Sequence, residues 1–115
     1  MYNAVAVNKS KSKFDVYIGR GSKWGNPFKM KNYSLAERNR VCDEYEKYFF
    51  KSGLYKSIPE LVDKKLGCFC KPLRCHGDFL AQCANEYELF GVMFYVYNSK
   101  SYVFSPTKGC YLSEK

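Results

Sequence analysis

The chain has little of several features that mark particular classes of protein. Its 115 residues include one histidine, one tryptophan and four prolines. The longest mostly apolar run, residues 89–97, is too short to span a bilayer. No basic segment precedes the apolar residues at the N-terminus, so the start of the chain does not resemble a secretory signal. These absences predict a soluble, cytoplasmic protein with no membrane partner.

Proline is scarce, whereas large apolar side chains are abundant. Hydrophobic residues make up 46% of the chain and aromatic residues 18%, which excludes disorder over most of the length. A chain of 115 residues is long enough for one hydrophobic core and too short for two. The composition therefore predicts a single folded domain.

Acidic residues are also few, with 11 Asp and Glu against 19 Lys and Arg. The resulting net charge of +8 is unevenly placed, because residues 1–31 hold seven basic side chains and one acidic side chain, Asp15. A basic end on a nearly neutral body favours a phosphate-bearing partner. A lysine-rich hairpin that only keeps the protein soluble is the alternative.

The six cysteines are not spread in the way that a disulfide framework requires. Half of them lie with the only histidine between residues 68 and 76. Two others, Cys42 and Cys83, fall on apolar faces of predicted helices, where cysteine behaves as a small core residue. We therefore expect a reducing compartment and a local cysteine-histidine motif.

The chain order of apolar segments predicts an α/β fold. Residues 4–7 and 14–18 are predicted strands joined by a hairpin loop, with the second strand inside the sheet. Ser34 and Glu37 form a predicted capping box that starts a helix ending at Gly53. The remaining predicted elements are a short helix at 57–65, a strand at 66–70, a helix at 77–87 and a closing hairpin at 91–104. The prediction is one α/β domain over residues 1–104, with a mixed β-sheet, about three helices and a C-terminal hairpin, followed by a tail at 105–115.

The segment GRGSKWGNPF, residues 19–28, follows the second predicted strand directly. Its glycines allow backbone N–H groups to approach an anion, and its polar side chains suit phosphate. It lacks the spacing of a Walker loop. Trp24 has two open interpretations, a stacking face for a base or a core anchor for the loop. The candidate ligand-binding residues here are Arg20, Gly21, Ser22, Lys23, Trp24 and Asn26.

The segment CFCKPLRCHGD, residues 68–78, also follows a predicted strand and precedes a helix. A helix N-terminus attracts anions, so Arg74 and Gly77 are further candidate ligand-binding residues. His76 is a candidate general acid or base, Cys75 a candidate nucleophile and Asp78 a candidate catalytic carboxylate or simply the N-cap. The less favoured alternative is a zinc site. Its ligands would be Cys68, Cys70, Cys75 and His76.

Both segments begin at the carboxyl end of a predicted strand. If those strands run parallel in one sheet, both segments emerge at the same edge, where open α/β sheets bind ligands. One pocket would then lie between two sets of side chains. Arg20, Ser22, Lys23 and Asn26 would face Arg74, His76 and Asp78 across it. The sequence therefore predicts a single site built from two distant segments.

The stretches VYIGRGSKWGNPF and LGCFCKPLRCHGDFL resemble the signatures of a domain family of unknown function found in phages, other viruses and bacteria. The resemblance covers about residues 3–86 and leaves the hairpin at 90–104 outside. It implies an α/β fold and a viral or mobile-element setting, and it implies no established reaction.

The favoured function is binding of a nucleotide or another phosphorylated ligand at this pocket in an infected cell. An enzyme acting on a nucleotide or nucleoside also fits, with Asp78 as the carboxylate if a glycosidic bond is cleaved. Two alternatives remain. One is a nucleic-acid-binding module with zinc as a staple, and the other is a viral protein that inhibits a host protein through the hairpin at 90–104.

Overall fold

The structure is a computed structural model that describes residues 3–69 and 73–112. Two strands, two helices, a third strand and a third helix follow in chain order, and three antiparallel strands end the described part of the chain. The strands are β1 (Val5–Asn8), β2 (Val16–Tyr17), β3 (Lys65–Cys68), β4 (Met93–Tyr97), β5 (Lys100–Ser105) and β6 (Gly109–Leu112). The helices are α1 (Leu35–Lys51), a 3₁₀ helix (Leu54–Leu61) and α2 (His76–Phe90). The predicted α/β class is confirmed.

The first sheet is parallel and has the order β1-β3-β2. The predicted hairpin between the first two strands is wrong, because β3 lies between them and pairs with each in parallel. After β1 the chain returns to the amino ends of the strands, where Asp15 forms hydrogen bonds with the backbone of Lys65 at the start of β3. The prediction that the second strand lies inside the sheet is also wrong. The inner strand is β3, whose Leu66 is fully buried, as expected for a parallel strand covered on both faces.

Helix α1 begins as predicted, with one difference at its cap. Ser34 is the N-cap, and its Oγ accepts a hydrogen bond from the N–H of Glu37 at 3.2 Å. The Glu37 carboxylate does not reach back to Ser34. It accepts hydrogen bonds from the guanidinium of Arg40 and the N–H of Lys31, both at 2.8 Å, which lower its pKa to about 2. Glu37 therefore fixes the preceding loop onto α1.

We expect Ser34→Ala to lower the free energy of unfolding by about 1 kcal/mol, because the N–H of Glu37 loses its side-chain acceptor. Urea denaturation followed by the fluorescence of Trp24, the only tryptophan, measures the change. Ser34→Asp is the matched control and should keep most of the stability, because aspartate also caps helices well. Equal destabilisation by both substitutions would contradict this role.

The second predicted helix is a 3₁₀ helix that begins earlier than the predicted residue 57. Gly53 adopts a left-handed conformation with φ of 86°, and the chain resumes helical turns immediately after it. The buried side chains are Tyr55, Ile58 and Leu61, spaced three residues apart. This spacing matches the three residues per turn of a 3₁₀ helix, so all three face the core.

The predicted C-terminal hairpin is confirmed by the antiparallel pairing of β4 with β5. The segment predicted as a tail contains β6, which pairs with β5 and completes a second sheet, separate from the first. The Ser105 hydroxyl accepts hydrogen bonds from the N–H groups of Thr107 and Lys108, and Gly109 has a φ of 89°. This turn connects β5 to β6, which runs antiparallel to it.

The core lies between the two sheets and the helices. Tyr45 and Phe49 of α1 are fully buried, and Phe50 stacks on Phe104 of the second sheet at a centroid distance of 4.1 Å. Leu80 of α2 is also fully buried. In the described part of the chain, no helix combines the length and the apolar character needed to cross a membrane.

Candidate functional site

The two segments singled out from the sequence meet at the carboxyl edge of the parallel sheet. Strands β2 and β3 are neighbours and run in the same direction. The Nε2 atom of His76, at the start of α2, lies 2.7 Å from the carbonyl oxygen of Ile18, which follows β2. The predicted juxtaposition of the segments is therefore observed.

A cavity of about 500 Å³ opens at this edge, a size typical of small-molecule sites. Four basic residues and no acidic residue line it among the described residues. Aromatic rings form much of the rest of its wall. The basic residues are Arg20, Lys31, Arg38 and Arg74, and the aromatic ones are Tyr17, Phe28, Tyr33 and Phe69. This combination favours an anionic ligand with a flat, apolar part.

Six of the predicted site residues line this cavity. They are Arg20, Asn26, Arg74, Cys75, His76 and, from the zinc alternative, Cys68. Arg20 is exposed and forms no ion pair with any described residue. The amide of Asn26 donates from Nδ2 to the carbonyl of Val41 at 3.0 Å. Its Oδ1 accepts a hydrogen bond from the N–H of Phe28 at 2.9 Å. Asn26 therefore shapes the wall, whereas Arg20 offers its charge to the cavity.

Arg74 forms ion pairs with acidic side chains of α1. Its guanidinium lies 2.9 Å from an Asp43 carboxylate oxygen and 3.3 Å from a Glu46 carboxylate oxygen. It also donates to the side-chain oxygen of Asn39 at 3.1 Å. Burial raises the pKa of Glu46 and the Arg74 charge opposes that rise. Arg74 therefore mainly anchors its segment to α1. Among the described residues, Arg20 and Arg38 form no ion pair, and the charge of Lys31 acts in part on Glu37.

His76 is buried, with 7% of its surface exposed. Because a carbonyl oxygen only accepts, the 2.7 Å contact means that Nε2 donates to Ile18. The imidazole ring also packs on Tyr45, with centroids 4.8 Å apart. The hydrogen bond from Nε2 therefore connects the start of α2 to the residue that follows β2. The geometry makes His76 a positioning residue for the cavity wall.

Asp78 does not line the main cavity. It is the third residue of α2, and its carboxylate accepts a hydrogen bond from the N–H of Cys75 at 3.3 Å. Cys75 is the N-cap, so the prediction of Asp78 as N-cap is wrong by three residues. Asp78 lines a smaller cavity of about 160 Å³ that also contains Glu46 and Arg74. The structure therefore does not assemble Cys75, His76 and Asp78 as a catalytic set facing one cavity.

The candidate zinc ligands are only partly brought together. The Sγ atoms of Cys68 and Cys75 are 3.2 Å apart and both residues are buried. His76 uses Nε2 in its bond to Ile18. Cys70 lies outside the described residues. Within the described ranges, no group of three or more histidine, cysteine or acidic side chains is arranged to hold a metal ion.

The other predicted ligand-binding residues in the first loop do not line the cavity. Ser22 donates its hydroxyl to the carbonyl of Gly19 at 2.7 Å, and Lys23 pairs with Glu60 at 2.8 Å. Trp24 is 3% exposed, so the structure supports the core-anchor interpretation over base stacking. Gly21, with a φ of 90°, supplies a left-handed turn. These residues shape the loop that presents Arg20.

Gly77 is buried under the sheet and does not contact the cavity. A Cβ atom at this position would lie 2.7 Å from Cδ1 of Ile18 and 3.0 Å from Cβ of Ala6. The first turn of α2 can therefore approach β1 and the end of β2 closely only because residue 77 has no side chain. Its role is in helix packing.

Several cavity residues were missed by the sequence predictions. Arg38 lies on α1, and its Nη1 donates to the carbonyl of Arg74 at 3.1 Å. Lys31 lies in the loop that Glu37 fixes to α1. Tyr17 and Phe69 stand at the ends of β2 and β3. The alternation of side chains at strand ends could have indicated the two aromatic residues, whereas Arg38 carries no local signal.

Most of this chain matches a known protein family. The family described as Domain of unknown function (DUF4326) matches residues 5–86, which include the parallel sheet, α1 and most of α2. The chain belongs to this family. The match ends before β4, so the DUF4326 region contains the whole cavity and leaves out the second sheet.

Two relatives of this DUF4326 protein come from viruses. "Uncharacterized protein R718" of Acanthamoeba polyphaga mimivirus is 43% identical over 86 residues, which cover 59% of this chain and 65% of the relative. "Uncharacterized 12.4 kDa protein in nrdA-td intergenic region" of Enterobacteria phage T4 is 40% identical over 85 residues, which cover 70% of this chain and 76% of the relative. No solved structure matches the chain. The predicted viral family is therefore confirmed.

Proposed function

We propose that the protein binds a nucleotide or another phosphorylated ligand in the cavity at the carboxyl edge of the parallel sheet. The observation that supports this most directly is the lining, with four basic residues, no acidic residue and several aromatic rings among the described residues. Arg20 and Arg38 support the proposal, because they line the cavity and form no ion pairs with described acidic residues, so their charges are available to a phosphate. Phe69, 61% exposed, offers a ring face to a base.

The proposed activity is binding, and the proposed setting is the cytoplasm of an infected cell, in line with the viral relatives. Nucleotide or nucleoside processing remains a prediction. Glycosidic-bond cleavage would need a carboxylate beside the ligand, and Asp78 lines the other cavity. Inhibition of a host protein through the second sheet also remains a prediction, for which Phe94 and Val96 offer exposed apolar surface.

The proposal is tested by titrating nucleoside mono-, di- and triphosphates in thermal-shift assays and by calorimetry. We expect Arg20→Ala to weaken binding of the tightest nucleotide by at least about tenfold, because a charged hydrogen bond to phosphate is lost. Trp24 fluorescence during urea denaturation should show unchanged stability, since Arg20 is exposed. Lys100→Ala, which removes an exposed charge in the second sheet, is the control. Equal affinity of Arg20→Ala and Lys100→Ala would contradict the proposal.

A further inference from the structure

The segments that leave the carboxyl edge of the parallel sheet after β1 and β2 are rich in basic residues. β1, β3 and β2 run in the same direction, so the segments that follow them all leave at this edge. Asp15 lies at the opposite edge, where its carboxylate accepts a hydrogen bond from the N–H of Lys65 at 2.9 Å. The segments after β1 and β2 carry six basic residues with no ion pair among the described residues. These are Lys9, Lys11, Lys13, Arg20, Lys29 and Lys31.

Lys9 connects the basic loop after β1 to the cavity. Its N–H donates to the carbonyl of Cys68 at 2.8 Å, which holds the start of the loop against the end of β3. Its Nζ lies 5.3 Å from the ring centroid of Tyr17 and 5.0 Å from that of Phe69. Both rings line the cavity. The loop that carries Lys11 and Lys13 therefore begins beside the cavity rim.

The basic residues of these segments outnumber the phosphate groups of a nucleoside monophosphate. A nucleoside monophosphate presents one phosphate group, whereas the unpaired basic residues extend from the cavity to the exposed lysines of the β1 loop. A chain of phosphates can contact cations at successive positions along such a surface. The aromatic faces at the cavity suit unstacked bases, which a single strand offers and a duplex hides.

From this arrangement, and resting on the proposed function, we infer that the ligand is a nucleotide unit within a single-stranded nucleic acid. One base and its phosphate occupy the cavity, and the adjoining phosphates lie along the loop of Lys11 and Lys13. An anionic membrane would also attract these lysines. It would leave the cavity and its aromatic wall without a ligand, so the observations favour the nucleic acid.

The test compares polymer and monomer binding. Fluorescence anisotropy measures binding of labelled oligo(dA) and oligo(A) of roughly ten nucleotides, and calorimetry measures binding of 2′-deoxyadenosine 5′-monophosphate. We expect the double variant Lys11→Gln/Lys13→Gln to weaken oligonucleotide binding. The slope of log affinity against log salt should become shallower by about 1.4, the effect of two lost phosphate contacts on a single strand. Affinity for the monophosphate should stay unchanged.

Lys100→Gln/Lys108→Gln is the matched control, because it removes the same charge from exposed positions of the second sheet. Weaker binding of either polymer in the β1-loop variant alone supports the inference. Equal polymer affinity in both double variants overturns it, and the cavity proposal stands if the monophosphate still binds. Polymer binding that is insensitive to Arg20→Ala also overturns the inference, because the polymer would then lie outside the cavity, whereas the cavity proposal is overturned only if Arg20→Ala leaves nucleotide binding unchanged. Binding to phosphatidylserine vesicles without binding to either polymer overturns the nucleic-acid assignment.

Discussion

Replacing His76 with alanine should lower the free energy of unfolding by about 2–4 kcal/mol and weaken ligand binding at the same time. The substitution leaves the buried carbonyl of Ile18 without its 2.7 Å donor. It also removes a buried ring that packs on Tyr45. Because Arg20 follows Ile18 by two residues, a loosened β2 end displaces the cation that we assign to phosphate. Urea denaturation followed by Trp24 fluorescence gives the stability, and calorimetry gives the affinity.

The matched variant is His76→Gln, whose amide N–H can donate to the same carbonyl. We expect it to recover about 1 kcal/mol or more of the loss, together with part of the affinity. This recovery separates a positioning role from direct contact with the ligand. An alanine variant as stable as the unmodified protein would refute the positioning role. A stable glutamine variant that fails to bind would instead show that the imidazole contacts the ligand directly.

Replacing Phe49 with alanine should lower the free energy of unfolding by about 3–5 kcal/mol, the largest loss that we expect from a single truncation. Phe49 is fully buried. Its ring lies 5.0 Å from that of Phe50 and 5.2 Å from that of Phe79, both in edge-to-face geometry. Truncation leaves a void where α1 and α2 meet. Since small domains are stable by only about 5–15 kcal/mol, much of the protein would unfold in moderate urea.

Phe90→Ala is the control for this prediction. Phe90 is 58% exposed at the end of α2, and its ring contacts only that of Phe94 among the ring contacts of the described residues, edge-to-face at 5.4 Å. Its truncation should lower the free energy of unfolding by no more than about 1 kcal/mol. Both variants are compared by urea denaturation at the same protein concentration. Similar losses for the two variants would mean that the ring cluster around Phe49 does not carry the packing energy assigned to it.

Local signals were reliable where a residue acts on its own neighbours in the chain. Ser34 starts α1 and Gly53 ends it, because a cap and a left-handed turn depend on the adjacent backbone. The pattern of residues 91–104 indicated the second sheet's hairpin for the same reason. Local pattern failed for β1 and β2, since two short apolar strands separated by a polar loop look alike whether they form a hairpin or flank a third strand.

The sequence by itself determined the α/β class, the viral family and the two segments that follow strands. It could do so because periodicity, capping residues and contiguous motifs are properties of neighbouring residues. Only the tertiary structure decided which side chains share the cavity. It placed β3 between β1 and β2, brought Arg38 from α1 to the rim, buried Trp24 and left Asp78 in a smaller, adjoining cavity. Those outcomes depend on which residues, distant in the chain, compete for the same interior space.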